Sequence, residues 1–439
     1  MGNCCKPLPR EYPGDRVFSK KVSINIKCKN YTEKVNFVLP QAEILTSSTF
    51  AIKKLDISMS ACCLPGIDPR GLIKKQCQDT LFIKQKDDSI LVGVFDGHGK
   101  HGREIVKFCS DFMVNYFDNN FSSTSPKEFL TSMTEECDKV LLNESNINCS
   151  TSGTTAVVLL INPTSIWTCS VGDSRAILGT LPKHQKPIEN KIISETLSYK
   201  RPVVVSNILK AVQITLDQKP NISYELARIL KSGGVVQQLS NSEGKKIGPY
   251  RIWKPNGKVP GLAMSRSLGD SIAKSIGVIS KPVIHQLEIC YPRDQFIILA
   301  TDGIWDAMNN TEAINFVEKY RKNSSSISLQ TKPVVTNTNS TIAEFLCEES
   351  RYRWLGICSD EDVAIDDITA LVLEIKPHNI SNCPIIQRKG VTTEQSFDIE
   401  DNQEHTYEIQ ERFDIHRGSN AVIEETNEED EEDEESKEG

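Results

Sequence analysis

The sequence predicts an α+β fold built on antiparallel strands, and three observations predict it. Apolar runs of strand length stop abruptly at an aspartate followed by glycine, most plainly in Ile90 to Gly102, ILVGVFDGHGKHG. Successive runs, such as Ala156 to Ile161 and the one opening at Ile166, are separated by turns around Pro163 that are too short for the crossover parallel neighbours need. Between the runs lie segments whose apolar residues recur at helical spacing.

The elements follow in chain order. Residues 1–45 form a polar lead that begins MGNCCK. Gly2, exposed by methionine removal, is an acceptor for myristate, and Cys4 and Cys5 are acceptors for palmitate. Two lipid signals are what stable anchoring requires, so this start predicts peripheral attachment at the cytoplasmic face of a membrane, although Lys6 stands where the pattern wants Ser or Thr. Residues 7–45 are otherwise mixed and carry no pattern. From Thr46 the pattern tightens into the main domain, 46–376. Gly66 to Asp79, GIDPRGLIKKQCQD, is a Gly/Pro-rich turn that runs into an extended segment through Leu81 and Ile83. Gly102 to Phe117 has Ile105, Cys109, Phe112 and Tyr116 on one helical face. Ser125, Pro126 and Glu128 open a second helix that reaches about Leu142. Ser152-Gly153-Thr154-Thr155 then feeds the strand Ala156 to Ile161. Lys183 to Ser206 reads as an inserted loop. Ser223 to Lys231 is a short helix stopped by Gly233-Gly234, and Thr311 to Tyr320 is another, capped by Thr311. Arg321 to Ser340 is a Ser/Thr/Asn-rich insertion. Residues 377–439 lose all apolar periodicity and end in an acidic run that has nothing to bury, which predicts disorder.

Composition narrows the function. The 439 residues carry a formal charge of -8, but Glu424 to Gly439 alone holds eleven acids against Lys437. The rest is therefore close to neutral and offers no basic field for nucleic acid. Fourteen cysteines without Cys-x2-Cys spacing argue against a zinc site or a disulfide framework, and fit a reducing cytoplasm. No apolar stretch approaches the ~18 residues of a membrane span, and the start lacks the apolar core of a signal peptide.

Two motifs suggest other chemistries and fail on their own residues. Gly97, Gly99 and Gly102 satisfy G-x-G-x-x-G, yet Asp96 would set a carboxylate against a pyrophosphate, and Phe117 is followed by a polar loop rather than a strand ending in an acid. Cys347 to Arg353, CEESRYR, matches Cys-x5-Arg, yet Glu348 and Glu349 would repel phosphate and the segment reads as helix.

What remains is a set of aspartates at strand tips. Asp96 ends one run, Asp302 follows another (FIILATDG), Asp173 closes a third (IWTCSVGD) and Asp366 opens a fourth (DDITALVL). One such residue is explained by a turn. Four, with a glycine carbonyl beside them and no Cys/His cluster, suit hard divalent cations that prefer oxygen ligands. Two such ions would share a water, lower its pKa and clamp a phosphoryl oxygen.

These segments resemble the metal-dependent PPM (PP2C-type) family of protein serine/threonine phosphatases. The likeness lies in CQDTLFI at Cys77, VFDGHG at Val94, SGTTA at Ser152, VGDSRA at Val171, LDQKP at Leu216, GLAMSRSLGD at Gly261, ATDGIWD at Ala300 and DDIT at Asp366, all in the family's order. The resemblance implies a sandwich of two antiparallel sheets with helix pairs outside. It implies Asp96 bridging two Mn2+ or Mg2+ ions with the carbonyl of Gly97 on the first and Asp302 and Asp366 on the second. Asp173, with Asp302 and Asp306, resembles the site of a weaker third ion, Asp79 the acid that holds metal-bound water, and His98 the donor that protonates the leaving oxygen. The implied reaction is direct attack of a metal-bridging hydroxide on phosphoserine or phosphothreonine of protein substrates by a monomeric enzyme. The alternative is a membrane-tethered, catalytically weak pseudophosphatase that only binds. Three positions depart from the family. Lys74 replaces an arginine that would hold phosphate in a fork, Gln78 replaces a glutamate, and Gln218 replaces a histidine at a structural position. The first two resemble the plant and protist branch. Substrate specificity is expected in Lys183 to Ser206 and Gly244 to Lys258.

Overall fold

The structure, a computed structural model, describes residues 21–28, 31–38, 41–53, 55–68, 73–74, 76–121, 125–182, 208–241, 243–255, 257, 259–327, 341–357 and 365–377. Gly2, Cys4 and Cys5, the 183–206 insertion and the acidic tail lie outside the described residues. The lead is not patternless: β1 (Lys21–Cys28) and β2 (Tyr31–Val38) pair antiparallel as a hairpin. Then come β3 (Ile44–Ile52), β4 (Leu55–Leu64), the short pair β5 (Ile67–Asp68) and β6 (Ile73–Lys74), β7 (Asp79–Lys86) and β8 (Ser89–His98). Helices α1 (Gly102–Asn120) and α2 (Pro126–Asn143) lead to β9 (Gly153–Thr154), β10 (Ala156–Ile161), β11 (Ser165–Val171), β12 (Arg175–Thr180) and β13 (Lys210–Gln213). After α3 (Ser223–Lys231), a small sheet holds β14 (Val235–Ser240), β15 (Lys246–Trp253) and β16 (Pro260–Leu262). The chain continues with β17 (Leu268–Gly269), α4 (Ser271–Lys274), β18 (Val283–Glu288), β19 (Asp294–Ala300), α5 (Asp302–Trp305), α6 (Asn310–Ile327), α7 (Ile342–Ile357) and β20 (Ile368–Pro377).

Two antiparallel sheets carry the fold, as the sequence predicts. One runs β17-β9-β8-β10-β11-β18, with β7 also on β8; the other runs β13-β12-β19-β20-β4-β3. Their inner faces meet through Ile57 and Met59 of β4, Val92 and Val94 of β8, Leu159 of β10, Leu299 of β19 and Leu373 of β20. The outer face of the first sheet is covered by α1 and α2, through Leu91, Phe95, Ile105, Cys109, Met113 and Phe129. The outer face of the second is covered by α6 and α7, through Cys62, Ile298, Ile314, Val317 and Leu346. Strands with helices on one side and a sheet on the other are buried on both faces. This is why β8 and β10 read as unbroken apolar runs rather than alternating ones.

Local expectations meet three corrections. The buried face of α1 is Ile105, Val106, Cys109, Met113 and Phe117, while Phe112 and Tyr116 are half-buried and stacked on each other, with Tyr116 5.6 Å from the Phe129 ring of α2. The helix serves two neighbours, so its apolar arc is wider than one stripe. The cap of α6 is Asn309, not Thr311: Asn309 Oδ1 accepts from the Glu312 N–H at 2.9 Å and Glu312 Oε2 accepts from the Asn309 N–H at 3.0 Å. That helix also runs past Tyr320 to Ile327, into the start of the Ser/Thr/Asn-rich insertion. The α2 cap stands as expected, with Ser125 Oγ accepting from the Glu128 N–H at 3.2 Å. Among the described residues, no helix is long and apolar enough to cross a membrane.

Candidate active site

The ends of β7, β8, β19 and β20 and the turn between β11 and β12 bring the acids to one end of the sandwich. Asp79 opens β7 directly opposite Asp96 near the end of β8. The SGTTA segment holds that end. The Thr155 N–H and Thr154 Oγ1 both donate to the Asp96 carbonyl, at 2.9 and 3.0 Å, and Thr155 Oγ1 accepts from the Asp96 N–H at 3.1 Å. Thr155 Oγ1 also lies 2.7 Å from Ser174 Oγ, which ties the Asp96 strand to the turn that carries Asp173. Gln218 clasps the same turn through the Gly172 N–H, so it is structural as expected.

Asp302 begins α5, and the following glycine explains how it reaches Asp366. A Cβ on Gly303 would stand 2.0 Å from the Asp367 carbonyl, so only glycine lets α5 sit against the start of β20. The neighbour Asp367 is spent on structure. Its Oδ1 accepts from the Gly66 N–H and its Oδ2 from the Gln78 N–H at 2.7 Å. Gly97 also serves packing: a Cβ there would stand 2.6 Å from the Gln78 carbonyl and 2.7 Å from the Gly102 carbonyl. Only glycine therefore lets β8 lie this close to the start of β7 and to α1.

The carboxylates act on one another. Burial, then the charges of Asp79 and Asp366, push the Asp96 carboxyl well above its ordinary range, against the pull of a hydrogen bond with Asp302. Burial, then Asp96, Asp366, Asp173 and Asp306, do the same to Asp302. Asp79 is raised by burial first, although its Oδ2 accepts from Thr301 Oγ1 at 2.8 Å. Asp173 is buried and paired with the Lys219 ammonium, a cation the sequence reading missed in LDQKP. Among the described residues, no three acids or imidazoles already close on a single point as a finished ion cage. The donor set nevertheless fits a hard divalent cation. Asp302 Oδ1 and Asp173 Oδ1 are buried oxygens with no hydrogen-bond donor, and the charged neighbours that act on Asp302 are carboxylates rather than thiols or imidazoles.

His98 ends β8 beside this cluster. Its Nε2 is 2.8 Å from Asp270 Oδ2, while its Nδ1 is buried without a partner. Burial pulls its pKa down, but the Asp270 carboxylate outweighs burial and leaves it above the ordinary imidazole value. Asp270 is the last residue of GLAMSRSLGD, and nothing in that segment's sequence marks it as a partner of His98. Gln78 does not face the acids as a substitute for a carboxylate; its Nε2 donates to the Gly99 carbonyl at 2.8 Å. Lys74 lies on β6 in register with Ile67, and its side chain is outside what the structure describes. Cys347 lies within α7, buried, its thiol pushed up by burial and by Cys62, so it is no nucleophile.

Known proteins resemble this chain in sequence and in fold. A family model described as Protein phosphatase 2C matches residues 68–353. A probable protein phosphatase 2C 34 of Arabidopsis thaliana is 31% identical over 316 residues, covering 68% of this chain and 75% of that protein. A probable protein phosphatase 2C 72 of the same plant is 33% identical over 241 residues, covering 52% and 65%. Among solved structures, a serine-threonine phosphatase 2C from Toxoplasma gondii superposes with a TM-score of 0.54 at 20% identity, over 77% of this chain and all of that one.

Proposed function

The chain belongs to the protein phosphatase 2C family, and from that membership we propose how its own residues hydrolyse phosphoserine and phosphothreonine in protein substrates. The observation that carries the reading is the set of acids facing one another at the ends of β8, β19 and β20, with Asp302 Oδ1 and, in the turn after β11, Asp173 Oδ1 buried without a donor. Asp96, the Gly97 carbonyl, Asp302 and Asp366 are the ligands for Mn2+ or Mg2+. Bound there, such ions would acidify a water and neutralise the phosphoryl oxygens.

The remaining steps belong to the chain. Asp79, across the ladder from Asp96 and fixed by Thr301, orients the attacking water. Attack is directly on phosphorus, without a phosphoenzyme: Cys77 and Cys63, with their sulfurs 3.2 Å apart near Asp79, are buried, and the Cys77 thiol is held protonated by its bond to Cys63 and by burial. As the bond to the seryl or threonyl oxygen breaks, that oxygen needs a proton. His98 supplies it from Nδ1, the ring nitrogen not committed to Asp270. Lys74 is assigned to the substrate phosphate as a point charge. Asp173, with Lys219 already on one oxygen, is a weaker and later site for a third ion.

Phosphate release from a phosphothreonine peptide tests the reading. Turnover should require added Mn2+ or Mg2+, stop in EDTA, and disappear in Asp96→Ala with the fold retained. Hydrolysis that continues unchanged in EDTA or in Asp96→Ala would overturn it.

A further inference from the structure

Asp270 is built in a conformation that its side chain alone does not favour. It sits at φ 52°, ψ 51°, in the left-handed region, directly after Gly269 at φ +86°, and it is 1% exposed. A residue there must be held by its surroundings. It stands where a helix cap stands, before α4, yet its carboxylate makes no cap bond. The carboxylate crosses instead to His98 Nε2 at 2.8 Å.

The crossing is possible because of Gly153. Gly153 lies in register with His98 on one side and with Gly269 on the other, between the two groups that must meet. A Cβ on it would stand 2.2 Å from Asp270 Oδ2, in the space the carboxylate uses. The backbone is pinned from two sides: the Asp270 N–H donates to the Ser152 carbonyl at 2.9 Å, and the Gly269 N–H donates to Asp138 Oδ1 of α2 at 2.8 Å. Asp138 is 5% exposed, and its Oδ2 lies 3.2 Å from Lys274 Nζ. Lys274 in turn donates to the Ser267 carbonyl at 2.8 Å through Nζ and to the Asp270 carbonyl at 2.9 Å through its backbone N–H. The circuit closes on the Gly269-Asp270 pair.

We propose that Asp270 is a positioning residue for His98, and that Asp138 of α2 holds it there through the Gly269 N–H. Asp270 fixes the imidazole plane and commits Nε2, so that Nδ1 is the nitrogen left free to carry the transferable proton. This rests on the reading of His98 as the proton donor.

A proton donor matters for a poor leaving group and little for a good one, so the test compares a phosphothreonine peptide with para-nitrophenyl phosphate at saturating Mn2+. Asp270→Ala should lower kcat on the peptide about 100-fold and on the aryl phosphate only a few-fold. Added to His98→Ala, it should change neither rate further, because the residue it positions is already gone. Asp138→Ala should show the same bias to a smaller degree. Asp138→Asn should recover most of the loss, since its amide oxygen still accepts from Gly269. The Asp138 pair carries the test if Asp270→Ala does not fold. Equal losses on both substrates in Asp270→Ala, or a further loss when it is combined with His98→Ala, would overturn the proposal. His98→Ala that lowers both substrates alike would instead overturn the donor reading on which it rests.

Discussion

Asp302→Asn should make the metal-free protein more stable while destroying its turnover. Asp302 is pushed above its ordinary range by burial and then by the charges of Asp96, Asp366, Asp173 and Asp306. A folded pKa above the unfolded one means that stability is complete below about pH 4 and is lost as pH rises through the folded value. At neutral pH the fold therefore pays for confining these charges. At about 5 Å and an effective dielectric of about 20, one neighbouring carboxylate costs about 3 kcal/mol. Asp302 is only partly buried, and water screens some of this, so the net relief from neutralising it is about 1–2 kcal/mol. Thermal unfolding in EDTA at pH 7 should place the variant about 2–6 °C above the wild type. In excess Mn2+ the order should reverse, since an ion at about 100 times its Kd adds about 2.7 kcal/mol to a protein that holds it. Peptide turnover should fall by on the order of 1000-fold, the equivalent of about 4 kcal/mol of lost charge stabilisation. A variant less stable than wild type in EDTA, or one that Mn2+ stabilises equally, would refute the reasoning.

Three further outcomes follow from other parts of the chain. Glu225 is fully buried and held by Arg228 and Arg266 at 2.6 Å and by Ser265, so Glu225→Ala should cost about 3–5 kcal/mol in urea unfolding. Its pKa is lowered despite burial, because those three partners outweigh it. Its contribution should therefore be present above about pH 4.3 and fade as pH falls through the lower folded value, which unfolding between pH 3 and 6 would follow. Gln78→Glu restores the family's more common residue, yet it should lower kcat several-fold, because a carboxylate cannot donate to the Gly99 carbonyl and adds charge beside Asp79; higher activity would show that position 78 acts through its charge. If Gly2 accepts myristate, as the MGNCCK start suggests, Gly2→Ala should abolish incorporation of labelled myristate in a cell extract. A wild-type chain that takes up no label would remove that expectation.

The sites at strand tips were legible because an apolar run ending in Asp-Gly reports both a buried strand and its exit, as at Asp96 and Asp302. The second sheet face and the helix layers were legible through the same runs: β8 and β10 could be continuous only if covered on both sides. The face of α1 was misread since Phe112 and Tyr116 are as apolar as Met113 and Phe117, and only the position of α2 decides which pair meets the sheet. The β1–β2 hairpin did leave a local trace: Val22, Ile24, Ile26 and Cys28 alternate strictly with polar residues, a strand signal within a lead whose overall polarity masks it. Asp270 was missed for a different reason. Its role depends on a left-handed backbone and on the register of three strand ends drawn from distant points of the chain, and neither leaves a local trace. Likewise, two adjacent acids at Asp366 and Asp367 look alike in sequence, and only the Gly66 and Gln78 N–H groups mark the second as structural.

The central claim is that Asp96, Asp302 and Asp366 together hold the divalent cations of a phosphatase. Anomalous scattering from crystals of the full chain soaked in Mn2+ tests it most directly. Two peaks are predicted, both in contact with the Asp96 carboxylate, one also with the Gly97 carbonyl and the other with Asp302 and Asp366. Crystals of active protein with no Mn2+ peak beside Asp96 would contradict it.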